Sequence, residues 1–287
     1  MTKTLKLPAP AKLNLFLHIT GQREDGYHDL QTVFQLLDYS DEISLSLRDD
    51  GIIKRVKGLE NVPEEIDLCI RAAKILKEAT QTFLGVDISI QKILPIGGGI
   101  GGGSSDAATV LLGLNKLWDC KLSIDELAEL GLKLGADVPV FIRGHSAWAE
   151  GVGEQIKPIK MPKKWFLVIY PKISVSTAKI FNDQALTRDC EPIKIARFLE
   201  GNSFNKHSNV FEPIVRKQYP PIAEALEWLS MFSNAQLTGT GSCLFASFER
   251  EEDAKQVLGK LPKKWQGFVA KGVNQSPCLP LLEHSVS

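Results

Sequence analysis

The chain places six glycines among the seven residues from Gly97 to Gly103, and the run continues through Ser104-Ser105-Asp106 into the apolar stretch Ala107-Ala108-Thr109-Val110-Leu111-Leu112. Nothing else in the sequence restricts the fold as strongly. Glycine takes positive φ without a Cβ penalty and lets a ligand come close to the backbone. A helix that starts at the end of such a loop offers unpaired N–H groups and about half a positive charge. A loop of this kind opening onto a helix is an anion cradle, and phosphate is its natural guest. A flexible linker does not run directly into a serine-capped apolar helix.

Three known phosphate loops can be compared with this one. Gly97, Gly99 and Gly102 satisfy G-x-G-x-x-G, the spacing of dinucleotide-binding loops and of the protein-kinase glycine loop. The dinucleotide fold needs a second parallel strand ending in an acidic residue; Asp119 has about that spacing but stands in a turn leading to another helix. A protein kinase needs a strand after the loop, a strand lysine and the H-R-D and D-F-G motifs, none of which follows here. The Walker loop needs a lysine where this chain has Gly103. What remains is a cradle without a lysine inside it. The phosphate charge must be met by backbone N–H groups, the helix start, Ser104, Ser105, a metal ion and cations from elsewhere, Lys92 being one candidate.

Composition narrows the guest. With 34 Lys+Arg against 34 Asp+Glu in 287 residues, the formal net charge is zero, so there is no electrostatic case for a nucleic-acid or membrane partner. A small molecule fits better. Cys69, Cys120, Cys190, Cys243 and Cys278 are isolated and odd in number, which points to a reducing compartment. The five histidines show no metal-ligand spacing, the residues before Leu7 show no leader pattern and no eighteen apolar residues run together. A cytoplasmic protein is expected, with no structural metal.

The length accommodates about two domains. Leu13, Leu15, Leu17 and Ile19 alternate with Lys12, Asn14, Phe16 and His18, which predicts a half-buried strand carrying Lys12 and Asn14 on one face. Residues 30–37, 43–47 and 86–90 read as further strands and 67–80 as a helix. The loop helix continues to Trp118, and Ser123-Ile124-Asp125-Glu126 is a capping-box start for the next, which Gly135 ends. Pro158 and Pro162 mark a boundary, giving domains 1–158 and 159–287. In the second, a strand at 165–170, helices at 176–186, 193–199 and 222–232, a strand at 243–248, a helix at 251–261 and a strand at 267–273 give the order of a split βαβ sandwich.

Four more segments combine glycine or proline with polar residues beside strand sequence: PAPAKLNLFLH around Lys12, REDGYHDLQT from Arg23, GADVPVF around Asp137 and LTGTGSCLFASF from Leu237. Together with GGGIGGGSSDAAT they resemble the galactokinase, homoserine kinase and mevalonate kinase (GHMP) small-molecule kinases over nearly the whole chain. The resemblance implies an α+β, two-domain GHMP kinase fold, ribosomal protein S5 domain 2-like at the N-terminus and a ferredoxin-like βα sandwich at the C-terminus. It implies ATP as phosphoryl donor, with Mg2+, and a cytidine diphosphate methylerythritol acceptor phosphorylated on its 2-hydroxyl, in a monomer or weak homodimer.

The same resemblance assigns residues. Lys12 and Asp137 become a catalytic pair, Asp137 taking the hydroxyl proton. ATP falls to Lys92, Pro95, Ile96, Gly97, Gly98, Gly99, Ile100, Gly101, Gly102, Gly103, Ser104 and Ser105; the acceptor falls to Asn14, Tyr27, His28 and Phe181, the last stacking on the base. Residues 238–242 would close over the phosphates or the substrate. From local sequence alone, Asp137 also reads as a turn or helix-capping residue and Phe181 as core. The chain departs from the family at Asp67, where Asn is usual beside the adenine pocket, and at Ile100, where Leu is usual. Metal ligands are unassigned. A non-catalytic nucleotide-binding sensor on the same fold is the alternative, and a dinucleotide oxidoreductase a weaker third reading.

Overall fold

Two long antiparallel strands, β1 (Thr4–Gln22) and β2 (His28–Arg48), form the spine of the molecule. The computed structural model describes residues 3–59, 62–200 and 208–284. The segments read as separate strands at 30–37 and 43–47 are one continuous β2, because its two halves pair with different neighbours along the same β1. After β2 come β3 (Ile53–Lys57), α1 (Leu68–Thr80), β4 (Gly85–Gln91), α2 (Gly102–Leu117), α3 (Ile124–Leu132), α4 (Val138–Arg143), β5 (Ala147–Gly151) and β6 (Gln155–Pro158). β4 adds to the C-terminal half of β2 and β5 to its N-terminal half, while β3 runs parallel to β4.

The apolar alternation of these strands turns one sheet face toward α1, α2 and α4. Leu7, Leu36, Ile43, Leu45, Val86 and Ile88 are buried there against Val110, Leu111 and Leu114 of α2. Helix α2 is apolar nearly all round and is buried accordingly. The capping box starts α3 as expected: Ser123 Oγ accepts from Glu126 N at 3.2 Å and Glu126 Oε2 accepts from Ser123 N at 2.7 Å. The helix ends at Leu132, before Gly135.

The second unit contains β7 (Trp165–Tyr170), α5 (Thr177–Phe181), α6 (Ile195–Glu200), α7 (Glu212–Gln218), α8 (Pro220–Ser230), β8 (Ala235–Leu237), β9 (Leu244–Phe248), α9 (Glu251–Leu258) and β10 (Gln266–Val273). Its strands lie in the order β10-β7-β9-β8, all antiparallel, the ferredoxin-like arrangement. Strand β8 is too short to show a period in sequence, and α5 covers only about the first half of the helix expected at 176–186.

The two units share a core and a sheet edge. Leu13, Leu15, Phe16 and Val33 of the spine pack with Phe166, Val168 and Phe245 of the second unit. Gly272 and Val273, at the end of β10, pair with Leu37 and Leu36. Ser146 ties this junction: its hydroxyl donates to Val273 O at 2.7 Å and accepts from Leu36 N at 2.9 Å. The chain then returns to the first unit. A final helix, α10 (Cys278–His284), lies against α2 and β1, with Cys278 in the first core. The expected second domain, running to 287, therefore differs from the fold, which places the segment after β10 with the first unit. Apolar Cys278, Leu279 and Leu282 find their partners there and not on the ferredoxin-like sheet. No helix among the described residues is long and apolar enough to cross a membrane.

Candidate active site

Register shifts in β1 fall between Pro10 and Lys12 and between Asn14 and Leu17. Such bulges bend a strand and re-aim its side chains, and the two bracket Lys12 and Asn14. Both residues point the same way, as the alternation predicts, but the strand is buried on both faces, with Lys12 only 3 % exposed. A buried ammonium needs partners. Lys12 Nζ donates to Asn14 Oδ1 at 2.6 Å, lies 3.1 Å from Asp137 Oδ2 and sits 5.0 Å from the centre of the Phe34 ring. Asn14 is fixed in turn: its Nδ2 donates to Thr32 Oγ1 at 3.0 Å and its backbone N–H to Thr238 Oγ1 at 2.9 Å.

Asp137 occupies the N-cap position of α4, yet its side chain makes no capping hydrogen bond. Pro139 at the helix start has no N–H to offer it. Its carboxylate is free to face Lys12, more than a hundred residues away in sequence, and is half-buried at the floor of a cleft of about 560 Å³.

The glycine run forms one wall of this cleft. Gly97, Gly99 and Gly101 alternate through positive φ of 71°, 75° and 74°. A Cβ on Gly99 would stand 2.5 Å from Thr238 O, and one on Gly101 2.7 Å from Phe141 Cζ and 3.2 Å from Lys12 Cε. The loop is thus pressed between the β8–β9 turn and the Lys12 side chain, with Cys243 N donating to Gly98 O at 2.9 Å. Residues 238–242 form a hairpin turn that also backs the loop. Helix α2 begins at Gly102, with Gly101 as its left-handed N-cap, so the serines are not caps but lie in the first turn. Pro95, Ile96, Gly97, Gly98, Gly102, Gly103 and Ser104 face the cleft. Ile100 and Ser105 do not: both are turned into the interior, where Ser105 Oγ has no hydrogen-bond partner.

Lys92 differs from its expected role as a free phosphate cation. It borders the cleft, but its ammonium is bound to Asp41 and, at 2.7 Å, to Asp106 Oδ2. Asp41 also accepts from Ile93 N at 2.6 Å and Leu94 N at 2.8 Å, which sets the path of the chain into the glycine loop. Two buried carboxylates share one ammonium, so one is held with difficulty as an anion: burial first, then Asp41, push Asp106 up to about 7 against the pull of Lys92. Burial works against the charge of Lys92 as well, but the two carboxylates outweigh it and raise its pKa. Asp67 is similarly committed. One oxygen caps α1 through Cys69 N at 2.8 Å and the other meets Arg55, so the carboxylate has a structural use where the family usually has an amide.

At the far end, Phe181 lines the cleft and packs edge-on against Phe211 at 4.7 Å, serving both core and wall. The His28 ring lies 5.4 Å from Phe181, half-buried beside that wall and outside the residues that line the cleft. Tyr27, on the β1–β2 turn, is 64 % exposed and outside the cleft. Arg188 was not a sequence candidate. Its Nε donates to His28 Nε2 at 3.1 Å, and it lies in a stretch with no periodicity to single it out. Thr32, Asp41 and Asp106 were likewise unassigned, and all three are buried in the structure.

A glycine cradle between two α+β units, with a lysine and an aspartate on its floor, defines a GHMP-type kinase. The GHMP kinases N terminal domain family matches residues 67–145, and the GHMP kinases C terminal family matches residues 189–267. A homoserine kinase from Cytophaga hutchinsonii shares the fold, with a TM-score of 0.72 at 17 % identity over 96 % of each chain. A solved 4-(cytidine 5'-diphospho)-2C-methyl-D-erythritol kinase superposes with a TM-score of 0.82 at 30 % identity, covering 94 % of this chain and 100 % of that one. The 4-diphosphocytidyl-2-C-methyl-D-erythritol kinases of Nitrosococcus oceani and Hahella chejuensis are each 54 % identical to this chain; the alignments cover 96 % of it and 97 % and 96 % of theirs. The chain belongs to the 4-diphosphocytidyl-2-C-methyl-D-erythritol kinase family.

Proposed function

We propose that the protein transfers the γ-phosphoryl group of ATP to the 2-hydroxyl of 4-diphosphocytidyl-2-C-methyl-D-erythritol, giving the 2-phosphate and ADP in non-mevalonate isoprenoid precursor synthesis. The observation that carries this is the Lys12–Asp137 contact of 3.1 Å on the floor of a cleft walled by the glycine loop at one end and by Phe181 at the other. Phosphoryl transfer asks little covalent chemistry of a protein; it asks for an aligned hydroxyl, a proton acceptor and stabilisation of the moving charge. Asp137 accepts the proton as the oxygen attacks phosphorus. Lys12 holds the Asp137 carboxylate in place and faces the charge that develops on the transferring group. Asn14, itself fixed by Thr32 and Thr238, orients Lys12. The N–H groups at the start of α2 hold the donor phosphates, and Phe181 offers a face for the base.

Magnesium accompanies ATP in this reading, but no group of three or more His, Cys, Asp or Glu among the described residues could hold a metal ion. Asp106, the carboxylate beside the loop, is tied to Lys92. These residues do not fit a dedicated magnesium cage, and the steps above use side chains alone. A cytoplasmic location suits five unpaired cysteines. Purified protein incubated with ATP and the cytidine-bearing acceptor should yield ADP and a monophosphorylated product in equal amounts. Rapid turnover of another polyol or amino alcohol, with none of this acceptor, would overturn the substrate assignment.

A further inference from the structure

Arg188 decides the chemistry of His28. A guanidinium N–H can only donate, so the contact from Arg188 Nε at 3.1 Å makes His28 Nε2 an acceptor. The geometry leaves Arg188 little freedom to do otherwise. Its Nη1 donates to Leu186 O at 3.1 Å, and its Nη2 to Phe181 O at 2.8 Å and Asp183 O at 3.0 Å. Three carbonyls at and after the end of α5 thus aim the Nε–H. A neutral imidazole whose Nε2 accepts must carry its proton on Nδ1, and His28 Nδ1 bonds to no other described residue. The same guanidinium holds the backbone of Phe181, whose ring faces the cleft 5.4 Å from the imidazole.

We propose that Arg188 is a positioning residue that fixes His28 as an Nδ1–H donor and so makes the base subsite prefer cytosine to uracil. The proposal rests on the cytidine reading of the substrate given above. Cytosine presents an unprotonated N3 beside O2, both acceptors, whereas uracil presents an N3–H donor at the same edge. With a base against Phe181, whose ring the imidazole neighbours, a ring locked as an Nδ1–H donor pairs with the first and meets the second donor to donor, with the partner group left unsatisfied. A ring free to exchange tautomers would serve either base.

Among the described residues, the charged groups nearest in sequence or on the packed elements are engaged elsewhere. Asp29, next in sequence, is tied to Arg23 at 2.8 Å; Asp25 accepts from Tyr27 N at 3.0 Å; Asp183 accepts from Gln218; and Lys179 of α5 lies over the Tyr219 ring. Burial, and then the Arg188 charge, lower the pKa of His28, which keeps the ring neutral near neutral pH.

Two measurements test the proposal. In the intact free protein with 15N-labelled histidine, long-range 1H–15N NMR should show His28 protonated on Nδ1 and bare on Nε2 at pH 7; the opposite tautomer overturns the proposal whatever the substrate is. In kinetics, Arg188→Met should lower the ratio of kcat/KM for the cytidine acceptor over its uridine analogue by about tenfold, the size of one hydrogen bond. The change should fall mainly in the acceptor KM, leave the KM for ATP in place and move the His28 titration upward. Arg188→Lys, which keeps the charge but not the fork, should lose the preference too, so the reading does not depend on one variant folding. An unchanged ratio in a folded variant overturns the selectivity. Absence of turnover with either acceptor in the unmodified enzyme overturns the substrate reading instead, while the NMR result still decides the tautomer.

Discussion

Lys12 and Asp137 illustrate how a buried charge is kept available for chemistry. Of the two, only the carboxylate is substantially reached by solvent, at 34 % against 3 % for the lysine. In the proposed reaction the lysine is thus a fixed element and the aspartate the group that meets substrate. Asp137→Asn keeps the shape and one acceptor but cannot take a proton; kcat should fall by about 10²- to 10⁴-fold, while ATP affinity, measured by titration calorimetry, stays close to that of the unmodified enzyme. A variant with near-normal turnover would remove Asp137 as the base. Asp106 gives a prediction of a different kind. Its folded-state pKa of about 7 stands above its ordinary 3.8, so between these values the folded protein holds a proton that the unfolded chain releases. Its contribution to stability is present in full below pH 3.8 and is lost as the pH rises to about 7. Asp106→Asn should flatten that part of the profile in thermal unfolding scans between about pH 4 and 8. An identical slope in variant and parent would refute the raised pKa of Asp106 in the Lys92 cluster.

At the scale of the element, the loop between β4 and α2 is a packed object and not a flexible lid. It is gripped from outside by the β8–β9 turn and from inside by Phe141 and Lys12. Gly101→Ala brings two penalties: positive φ for a residue with a Cβ, and a contact of 2.7 Å with Phe141 Cζ that pushes toward Lys12 Cε. Activity should drop by at least about tenfold, and melting temperature should fall by a few degrees, as expected for about 1–2 kcal/mol of backbone strain. Full activity in this variant would mean that the loop is not held as described. Sequence reasoning found this element but misplaced its start, because serine is a better cap than glycine by propensity. Here Gly101 takes the N-cap position in the left-handed conformation and no side chain caps the first N–H groups, which leaves them to the proposed phosphate site. Asp137 shows the converse: at an N-cap position by spacing, it caps nothing.

For the whole molecule, the decisive point is where the two units meet. Ser146 is fully buried and connects Leu36 N, Gln35 Nε2 and Val273 O. Ser146→Ala leaves a buried strand N–H and a carbonyl without that partner, so urea unfolding should show a loss of about 1–3 kcal/mol with the acceptor KM little changed. A neutral substitution would show that the β2–β10 junction is not held through this hydroxyl. The local patterns of the sequence determined the phosphate cradle, most strands and helices, and the sandwich order of the second unit, because each depends on residues near one another in the chain: a period of two or 3.6, a cap, a run without Cβ atoms. Resemblance supplied the pairing of Lys12 with Asp137. Only the tertiary structure decided that Lys92 is consumed by Asp41 and Asp106, that Asp67 is consumed by Arg55, that Arg188 sets His28 and that α10 returns to the first unit. Each is a contact between residues distant in sequence or in patternless segments, and a buried charge takes whichever opposite charge the fold brings within reach.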